Sequence, residues 1–329
     1  MSDVPILTVE RVTKRFGDLH AVRDLSFEVH GGEIFGFLGP NGAGKTTTLR
    51  MIMGITAPDH GAVRLDGASR LDRARVGYLP EERGLFEDVP VLETLAYLGA
   101  LRGMSLAAAR AAALPLLERL GLAGRAREKL NALSKGNQQK VQFIGAVLHR
   151  PALAVLDEPF AGLDPLNQEL FLALMRELRD QGTTVLLSAH QLDLVERLAD
   201  RFLLIARGSP VLSGTLQEIR RQAAGGMAEV LRLQLEARGA GALDVAALTA
   251  EVSALVPGAR VEAQPDGAAV RLVALLPGGS DLAPVLAALG RRAAIRRVET
   301  RALPLHEIYL RAVREGGGSV GAEEVGGDA

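Results

Sequence analysis

Short runs of apolar residues alternate with helical patterns over the first two thirds of the chain. Apart from their end residues, the runs are almost wholly apolar, and they occupy residues 33–38, 76–79, 153–156, 183–188 and 201–206. Strands that lack a polar face are typical of a parallel sheet covered on both sides. Because strand-like runs and helical patterns alternate, the sequence predicts an α/β domain over residues 1–218.

A stretch within this domain has a different pattern. Residues from about 85 to 135 are rich in alanine and leucine at helical spacing, which predicts an inserted helical subdomain. Phe86 and Tyr97 lie in this stretch. They are candidates for a groove that docks a partner, and ordinary core packing explains them equally well.

A second pattern follows a predicted linker at residues 219–227. The predicted strands are 230–235, 261–263, 270–275 and 295–300, and the predicted helices are 243–255, 282–289 and 305–310. The order β-α-β-β-α-β is that of a ferredoxin-like fold, so residues 228–315 are expected to form a small α+β domain. The glycine-rich and acidic tail at 316–329 is expected to be disordered.

Composition limits the kinds of protein that this chain can be. It has 329 residues, 48% of them hydrophobic, a net charge of −1 and no cysteine, which excludes disulfides and thiolate metal sites. The near-zero charge does not favour binding to nucleic acid. The N-terminus shows no signal-peptide pattern, and no uncharged apolar run reaches the roughly 18 residues of a membrane-spanning helix.

One glycine-rich segment carries the strongest chemical signal. It fits the phosphate-binding pattern G-x-x-x-x-G-K-[ST], also called Walker A, and consists of Gly39, Pro40, Asn41, Gly42, Ala43, Gly44, Lys45, Thr46 and Thr47. A buried strand precedes it and a helix follows, which is the context that the pattern requires. The loop's N–H groups and the helix N-terminus favour phosphate, while Lys45 reaches the β- and γ-phosphates and Thr46 binds Mg²⁺. A glycine-rich turn is the alternative interpretation.

Two further segments fit the same chemistry. Asp157 and Glu158 end an apolar strand, so Asp157 is expected to hold Mg²⁺ and Glu158 to polarise an attacking water. A solvated turn is the alternative for these two acids. Ser134 is a natural helix N-cap with Gly136 beside it, a second candidate anion site.

Taken together, these motifs resemble the ATP-binding subunits of ABC transporters over residues from about 7 to 219. Phe16 resembles the family's adenine-stacking aromatic, with Val22 beneath it, and His190 resembles the switch histidine that senses the γ-phosphate. The family's signature loop is matched by Ser134, Lys135, Gly136, Asn137 and Gln138. The loop that lines the dimer seam is matched by Ala161, Gly162, Leu163 and Asp164.

The chain departs from the family pattern at two places. Glu81 stands where the family usually has glutamine, and its carboxylate is able to bind Mg²⁺ but adds charge beside the triphosphate. The signature loop carries Lys135 and Asn137 but keeps Ser134 and Gly136, so an active site is expected. Both variants resemble an exporter-type subgroup that includes sodium-extrusion and drug-efflux ATPases and has a C-terminal accessory domain.

The resemblance implies a cytoplasmic ATPase, peripheral on the inner face of the cell membrane, that uses ATP and Mg²⁺ to power export. Its expected partners are an integral membrane permease and a second ATP-binding subunit, either another copy or a related chain. A soluble ATPase acting on a non-membrane partner such as the ribosome is the alternative, although such proteins usually carry two nucleotide domains. DNA-repair ATPases of this type place long coiled coils between the motifs, for which the spacing leaves no room.

Overall fold

The computed structural model describes residues 5–69, 72–82, 84–223, 227–237, 243–267 and 269–315. The predicted tail at 316–329 and residues 224–226 of the predicted linker lie outside this part. The chain divides into two compact units, Met1–Thr215 and Leu216–Ala329. Within the described ranges, none of the helices combines the length and the apolar character that crossing a bilayer requires.

Two sheets form the frame of the first unit. Its strands are β1 Pro5–Phe16, β2 Leu19–His30, β3 Ile34–Leu38, β4 His60–Leu65, β5 Val76–Leu79, β6 Leu153–Asp157, β7 Thr184–Ala189, β8 Arg201–Ala206 and β9 Ser209–Gly214. One sheet has the order β2-β1-β4, and the other has the order β5-β6-β7-β3-β8-β9. The strands β5, β6, β7, β3 and β8 run parallel, and β9 is antiparallel at the edge. The predicted buried parallel strands are therefore confirmed.

The helices of the first unit include those of the predicted helical subdomain. They are α1 Lys45–Ile52, α2 Val91–Ala100, α3 Leu106–Arg119, α4 Lys135–Val147, α5 Pro165–Asp180 and α6 Leu192–Glu196. Helices α2 and α3 pack against each other and against α4, and two short 3₁₀ turns precede α4. Ser105 caps α3 through its hydroxyl, and Ser134 caps α4 in the same way.

The core of this unit lies between the antiparallel and the parallel sheet. The ring of Phe27 in β2 stacks on Phe35 and Phe37 in β3, with ring centroids 5.6 and 5.5 Å apart. Buried valine, leucine and isoleucine side chains from both sheets surround these rings. This packing fixes the position of β3, from whose carboxyl end the phosphate-binding segment starts.

The parallel register brings the predicted chemical groups to one edge. Strand β7 lies between β3 and β6, and Asp157 at the end of β6 pairs with Ser188 near the end of β7. The carboxyl ends of parallel strands meet at the same edge of a sheet, where α/β proteins bind ligands. The segments that follow β3, β6 and β7 therefore converge.

The second unit has the strand order of a ferredoxin-like fold. Its elements are α7 Leu216–Ala223, β10 Met227–Ala237, α8 Val245–Leu255, β11 Arg260–Asp266, β12 Ala269–Pro277, α9 Ala283–Arg292, β13 Ala293–Ala302 and α10 Leu305–Glu315. The sheet has the order β11-β12-β10-β13 and is antiparallel throughout. Apolar residues from α8 and α9 cover one face of the sheet, in agreement with the predicted small α+β domain.

The predicted linker at 219–227 was wrong over its first half. Residues 216–223 form helix α7, and the units divide between Thr215 and Leu216 rather than after residue 218. The physical reason is packing: Ile219 is fully buried, and the Arg220 Nε donates a hydrogen bond of 3.0 Å to the Leu303 carbonyl oxygen. The glutamines and arginines of this segment lie on an amphipathic helix instead of a linker.

Candidate active site

The segment between β3 and α1 forms a loop whose shape depends on glycine. Gly44 has φ 102°, and a Cβ on this residue would lie 2.3 Å from the Ala21 carbonyl oxygen. A Cβ on Gly39 would lie 2.5 Å from the Ile205 carbonyl oxygen. Larger residues would therefore push the loop away from the strands beneath it.

Helix α1 starts directly at this loop with Gly44 as its N-cap, and no side chain among the described residues caps it. The first N–H groups of a helix need an acceptor, and a phosphate provides one. The loop and the helix N-terminus together are suited to a phosphate chain.

Lys45 is buried inside this loop. Its Nζ donates hydrogen bonds to the Gly39 carbonyl oxygen at 2.8 Å and to the Pro40 carbonyl oxygen at 3.2 Å. The same Nζ lies 3.4 Å from Oε1 of Glu158, and both side chains of this ion pair are less than a tenth exposed. The ammonium charge is thus held where phosphates would enter, and an incoming phosphate would compete with Glu158 for it.

Asp157 ends β6 as a fully buried carboxylate. Its Oδ1 accepts a hydrogen bond from the Ser188 hydroxyl, whereas its buried Oδ2 has no hydrogen-bond partner among the described residues. Burial raises the pKa of Asp157, whereas the hydrogen bond from Ser188 and the nearby Thr46 hydroxyl oppose that rise. An unpartnered carboxylate oxygen next to a threonine hydroxyl fits a hard divalent cation such as Mg²⁺.

Glu158 is held in an unusual backbone conformation. Its φ is 49°, in the left-handed region, and its N–H donates to the Ser188 carbonyl oxygen at 3.1 Å. Such conformations persist only where the surroundings hold them in place, and they occur often at functional sites. The carboxylate points towards Lys45 on one side and His190 on the other.

His190 follows β7 and forms a close pair with Glu158. Its Nδ1 lies 2.9 Å from Oε2 of Glu158, and its ring is half exposed while the carboxylate is buried. The hydrogen bond to Glu158 raises the pKa of His190. Burial alone would raise the pKa of Glu158, but the hydrogen bond to His190 and the charge of Lys45 outweigh it and lower that pKa. At neutral pH the carboxylate is therefore charged and ready to accept a proton.

Glu81 lies beside the same residues. Its Oε2 accepts a hydrogen bond of 3.2 Å from the Thr46 hydroxyl, and its charge acts on Asp157. In the part of the chain that the structure describes, no group of three or more His, Cys, Asp or Glu side chains is arranged around a metal position. A cation at Thr46 and Asp157 would therefore complete its coordination with phosphate and water oxygens.

The two residues expected at the adenine occupy different environments. Phe16 ends β1 opposite Leu19 in a hairpin, and 53% of its surface is exposed. Its ring is available for stacking, and the Lys14 Nζ lies 5.6 Å from the ring centroid. Val22 is fully buried, and its Cγ2 would lie 3.4 Å from a Cβ on Gly44. Val22 therefore supports the phosphate-binding loop from within the core.

The predicted signature loop, residues 134–138, touches the predicted dimer-seam loop, residues 161–164. A Cβ on Gly136 would lie 2.9 Å from the Gly162 carbonyl oxygen. Ser134 is exposed, and its Oγ accepts a hydrogen bond from the Asn137 N–H at 3.4 Å, while Lys135 beside it is also exposed. Asp164 caps α5, with its Oδ1 accepting from the Asn167 N–H at 2.9 Å. The two loops thus form one surface at the N-termini of α4 and α5.

Two residues contact the site although the sequence motifs predict no role for them. Ser188 contacts both acidic residues, as described above. Gln139 is buried in α4, and its Nε2 donates to the carbonyl oxygens of Glu158 at 3.3 Å and Pro159 at 3.1 Å. A polar side chain that falls on the buried face of a helix or strand is the signal that would have identified both.

Comparisons with known proteins agree with this geometry. A model of the ABC transporter family matches residues 22–161. An ABC transporter ATP-binding protein of Methanocaldococcus jannaschii is 45% identical over 220 residues, which are 67% of this chain and 81% of that protein. The Nod factor export ATP-binding protein I of Paraburkholderia xenovorans is 41% identical over 210 residues, 62% of this chain and 69% of that protein. A solved ATP-binding subunit of an ABC transporter superposes with a TM-score of 0.62 and 35% identity, over 66% of this chain and 92% of that one.

Proposed function

Since the chain belongs to the ATP-binding subunits of the ABC transporter family and hydrolyses ATP, we propose that it powers the export of an ion, drug or other small molecule through a separate membrane subunit. The observation that carries the proposal is that the buried side chains of Lys45 and Glu158 and the half-exposed ring of His190 lie together at the phosphate-binding loop. Export is supported by the relative that is named for Nod factor export.

In this proposal residues 39–47 bind the triphosphate. The loop's N–H groups and the N-terminus of α1 hold the phosphates, and Lys45 leaves its carbonyl partners to contact the β- and γ-phosphates. The Thr46 hydroxyl and Oδ2 of Asp157 would hold Mg²⁺, and Glu81 lies beside Thr46. Bound there, the cation supplies charge stabilisation to the phosphates in the transition state. The exposed ring of Phe16 stacks on the adenine.

Glu158 is the general base for hydrolysis. Its carboxylate accepts a proton from the attacking water as the water oxygen bonds to the γ-phosphorus and the bond to the β-γ bridging oxygen breaks. His190 orients this carboxylate from the solvent side and contacts the γ-phosphate. When Lys45 turns to the phosphates, Glu158 loses a cationic neighbour, which makes it a better proton acceptor.

A second ATP-binding subunit completes each site. The exposed surface formed by residues 134–138 and 161–164 carries two helix N-termini, at Ser134 and Asp164, and a basic side chain, Lys135. Such a surface is suited to the γ-phosphate bound by the partner. Two chains arranged head to tail would then enclose two ATP molecules, and hydrolysis would reopen the pair.

The membrane subunit is proposed to dock on the helical subdomain. Phe86 and Tyr97 are exposed there and pack edge to face, with ring centroids 5.8 Å apart. With Val89 and Thr94 they line a cavity of about 280 Å³. Exposed apolar side chains grouped in this way mark interaction sites. The protein would then work in the cytoplasm, on the inner face of the membrane. The ferredoxin-like unit would be an accessory domain that takes no part in ATP hydrolysis.

Affinity purification from gently solubilised cells in the presence of ATP tests the proposal. The expected result is recovery of a multi-span membrane protein in stoichiometric amount, and loss of that protein with Phe86→Ser. Leu114→Ser serves as the matched control, because Leu114 is a similarly exposed apolar residue on α3. Recovery of ribosomes, or of the chain alone, would overturn the transport proposal and leave the ATPase chemistry intact.

A further inference from the structure

Ser188 is a buried polar residue that has no part in the roles proposed above. It lies near the carboxyl end of β7, two residues before His190, and is fully inaccessible to solvent. The parallel register makes it the Cα partner of Asp157. Its hydroxyl contacts both acidic residues at this edge of the sheet, the carboxylate of Asp157 and the backbone N–H of Glu158.

The hydrogen-bond directions at the Ser188 hydroxyl follow from its single proton. A serine hydroxyl donates one hydrogen bond and accepts up to two, whereas a carboxylate only accepts. Its Oγ donates to Oδ1 of Asp157. It must then act as acceptor towards the Glu158 N–H, which lies 3.2 Å away. The result is a continuous chain from the Glu158 N–H through Ser188 to the Asp157 carboxylate.

The first consequence concerns the orientation of Asp157. Because Oδ1 is bound by Ser188, the carboxylate cannot rotate freely, and Oδ2 stays buried without a hydrogen-bond partner among the described residues. A carboxylate fixed through one oxygen presents the other in a defined direction. Hydrogen-bonding partners of this kind orient metal ligands and tune their affinity.

The second consequence concerns the backbone of Glu158. The left-handed φ of 49° is unfavourable for a residue with a side chain, so contacts must hold it. The Glu158 N–H is shared between the carbonyl oxygen of Ser188 at 3.1 Å and its hydroxyl at 3.2 Å. Ser188 thereby fixes the point from which the Glu158 side chain extends towards Lys45 and His190.

We propose that Ser188 is a positioning residue. Through one hydroxyl group it fixes the orientation of the Mg²⁺-binding oxygen of Asp157 and the backbone position of the general base Glu158. This inference rests on the proposed function of these two acids. The proposed role of Ser188 affects both Mg²⁺ affinity and the rate of ATP hydrolysis. A buried hydrogen bond elsewhere on β7 that is merely structural would leave both quantities unchanged.

Ser188→Ala, Ser188→Thr and Ser188→Cys test the proposal, with Thr184→Val as the matched control. Thr184 is buried in the same strand, and its Oγ1 accepts a hydrogen bond of 2.9 Å from the Gly32 N–H at the opposite end. Calorimetric titration with a non-hydrolysable ATP analogue, with and without Mg²⁺, gives the nucleotide and metal affinities. Steady-state ATPase assays give kcat and KM separately.

Ser188→Ala is expected to bind the analogue normally without Mg²⁺, to lose roughly 10- to 100-fold in Mg²⁺ affinity, and to lower kcat with little change in KM. Ser188→Thr should restore both, since it keeps the hydroxyl. If Ser188→Ala does not fold, Ser188→Cys is measured instead, because a thiol keeps the volume but hydrogen-bonds weakly.

Two outcomes would overturn the proposal. One is wild-type Mg²⁺ affinity and kcat in the folded variant that lacks the hydroxyl. The other is an equal loss in Thr184→Val, which would make the effect one of general stability. Failure of the proposed function is recognised separately: Glu158→Gln would then hydrolyse ATP normally, whatever happens at Ser188.

Discussion

The Nδ1 atom of His190 lies 2.9 Å from Oε2 of Glu158, so a half-exposed imidazole is hydrogen-bonded to a buried carboxylate at the end of the phosphate-binding loop. This contact joins the segments that follow β6 and β7. It also couples the charge of the proposed base to the charge of the histidine.

Glu158→Gln should bind ATP but hardly hydrolyse it. The amide keeps the size and one hydrogen-bond acceptor but cannot take the proton of the attacking water, so kcat is expected to fall by about 100- to 10,000-fold. ATPase assays measure this, and light scattering should show an ATP-bound dimer that persists. Glu177→Gln, which removes a carboxylate far from the loop and paired with Arg119, is the control. A normal rate from Glu158→Gln would remove this residue as the base.

The stability that the pair contributes should depend on pH. The pKa of His190 is raised from 6.5, so its contribution is complete below that pH and lost as the pH rises through the higher folded value. The pKa of Glu158 is lowered from 4.5, so its contribution is complete above that pH and lost as the pH falls through the lower folded value. The two contributions together stabilise the folded state most between pH 4.5 and pH 6.5, the unshifted pKa values of Glu158 and His190.

A double-mutant cycle with Glu158→Gln and His190→Asn, followed by chemical unfolding, measures this dependence. The coupling energy should be larger near about pH 5.5 than near about pH 9. It should be modest at both, because the half-exposed histidine is screened by solvent. A coupling energy that grew with pH would contradict the assignment of charges.

Lys45→Ala should abolish tight ATP binding. The substitution removes the ammonium that faces the phosphates, and a charge-assisted contact of this kind is worth enough to weaken binding by at least about tenfold. Fluorescence titration with a labelled ATP analogue measures the affinity. Lys129→Ala is the control, because Lys129 is exposed and its Nζ lies 3.6 Å from Oδ1 of Asp88, on the protein surface. Undiminished affinity in Lys45→Ala would refute the assignment of the loop.

Glu81→Gln should strengthen ATP binding in the absence of Mg²⁺. Glu81 places a negative charge next to Thr46 and Asp157, and an amide there removes the repulsion of the triphosphate. A several-fold lower Kd without Mg²⁺, and a smaller difference with it, is the expected result. Glu82→Gln serves as control, since that carboxylate is 85% exposed and pairs with Arg50. Equal effects of both substitutions on the Kd would show that the net charge of the protein, and not the position of Glu81, controls the affinity for ATP.

The sequence was sufficient where a motif and its neighbours lie together in the chain. The phosphate-binding loop could be predicted because its glycines, Lys45 and the flanking strand and helix form one continuous segment. Likewise the ferredoxin-like order followed from the alternating pattern of β10 and its partners. The prediction of an ATP-binding subunit is confirmed by the family comparison.

Contacts that depend on the register between strands could not be predicted from the sequence. Ser188 meets Asp157 only because β6 and β7 pair in parallel in one register. Strands β1, β2 and β4 were not predicted, and register shifts in β1 interrupt its alternation. The linker predicted at 219–227 includes residues 219–223 of helix α7, because the polar residues around the buried Ile219 obscure the helical pattern.

Ser134 and Lys45 belong to different places on the chain, one on the exposed surface at the start of α4 and one inside the phosphate-binding loop. In the proposed head-to-tail pair, each ATP depends on Lys45 of one copy and Ser134 of the other. A cell that expresses one copy impaired at Lys45 and another impaired at Ser134 would therefore assemble some pairs with one ruined site and one wholly intact site. The two defective alleles would therefore complement each other, and cells that carry both would regain activity that cells with either allele alone lack.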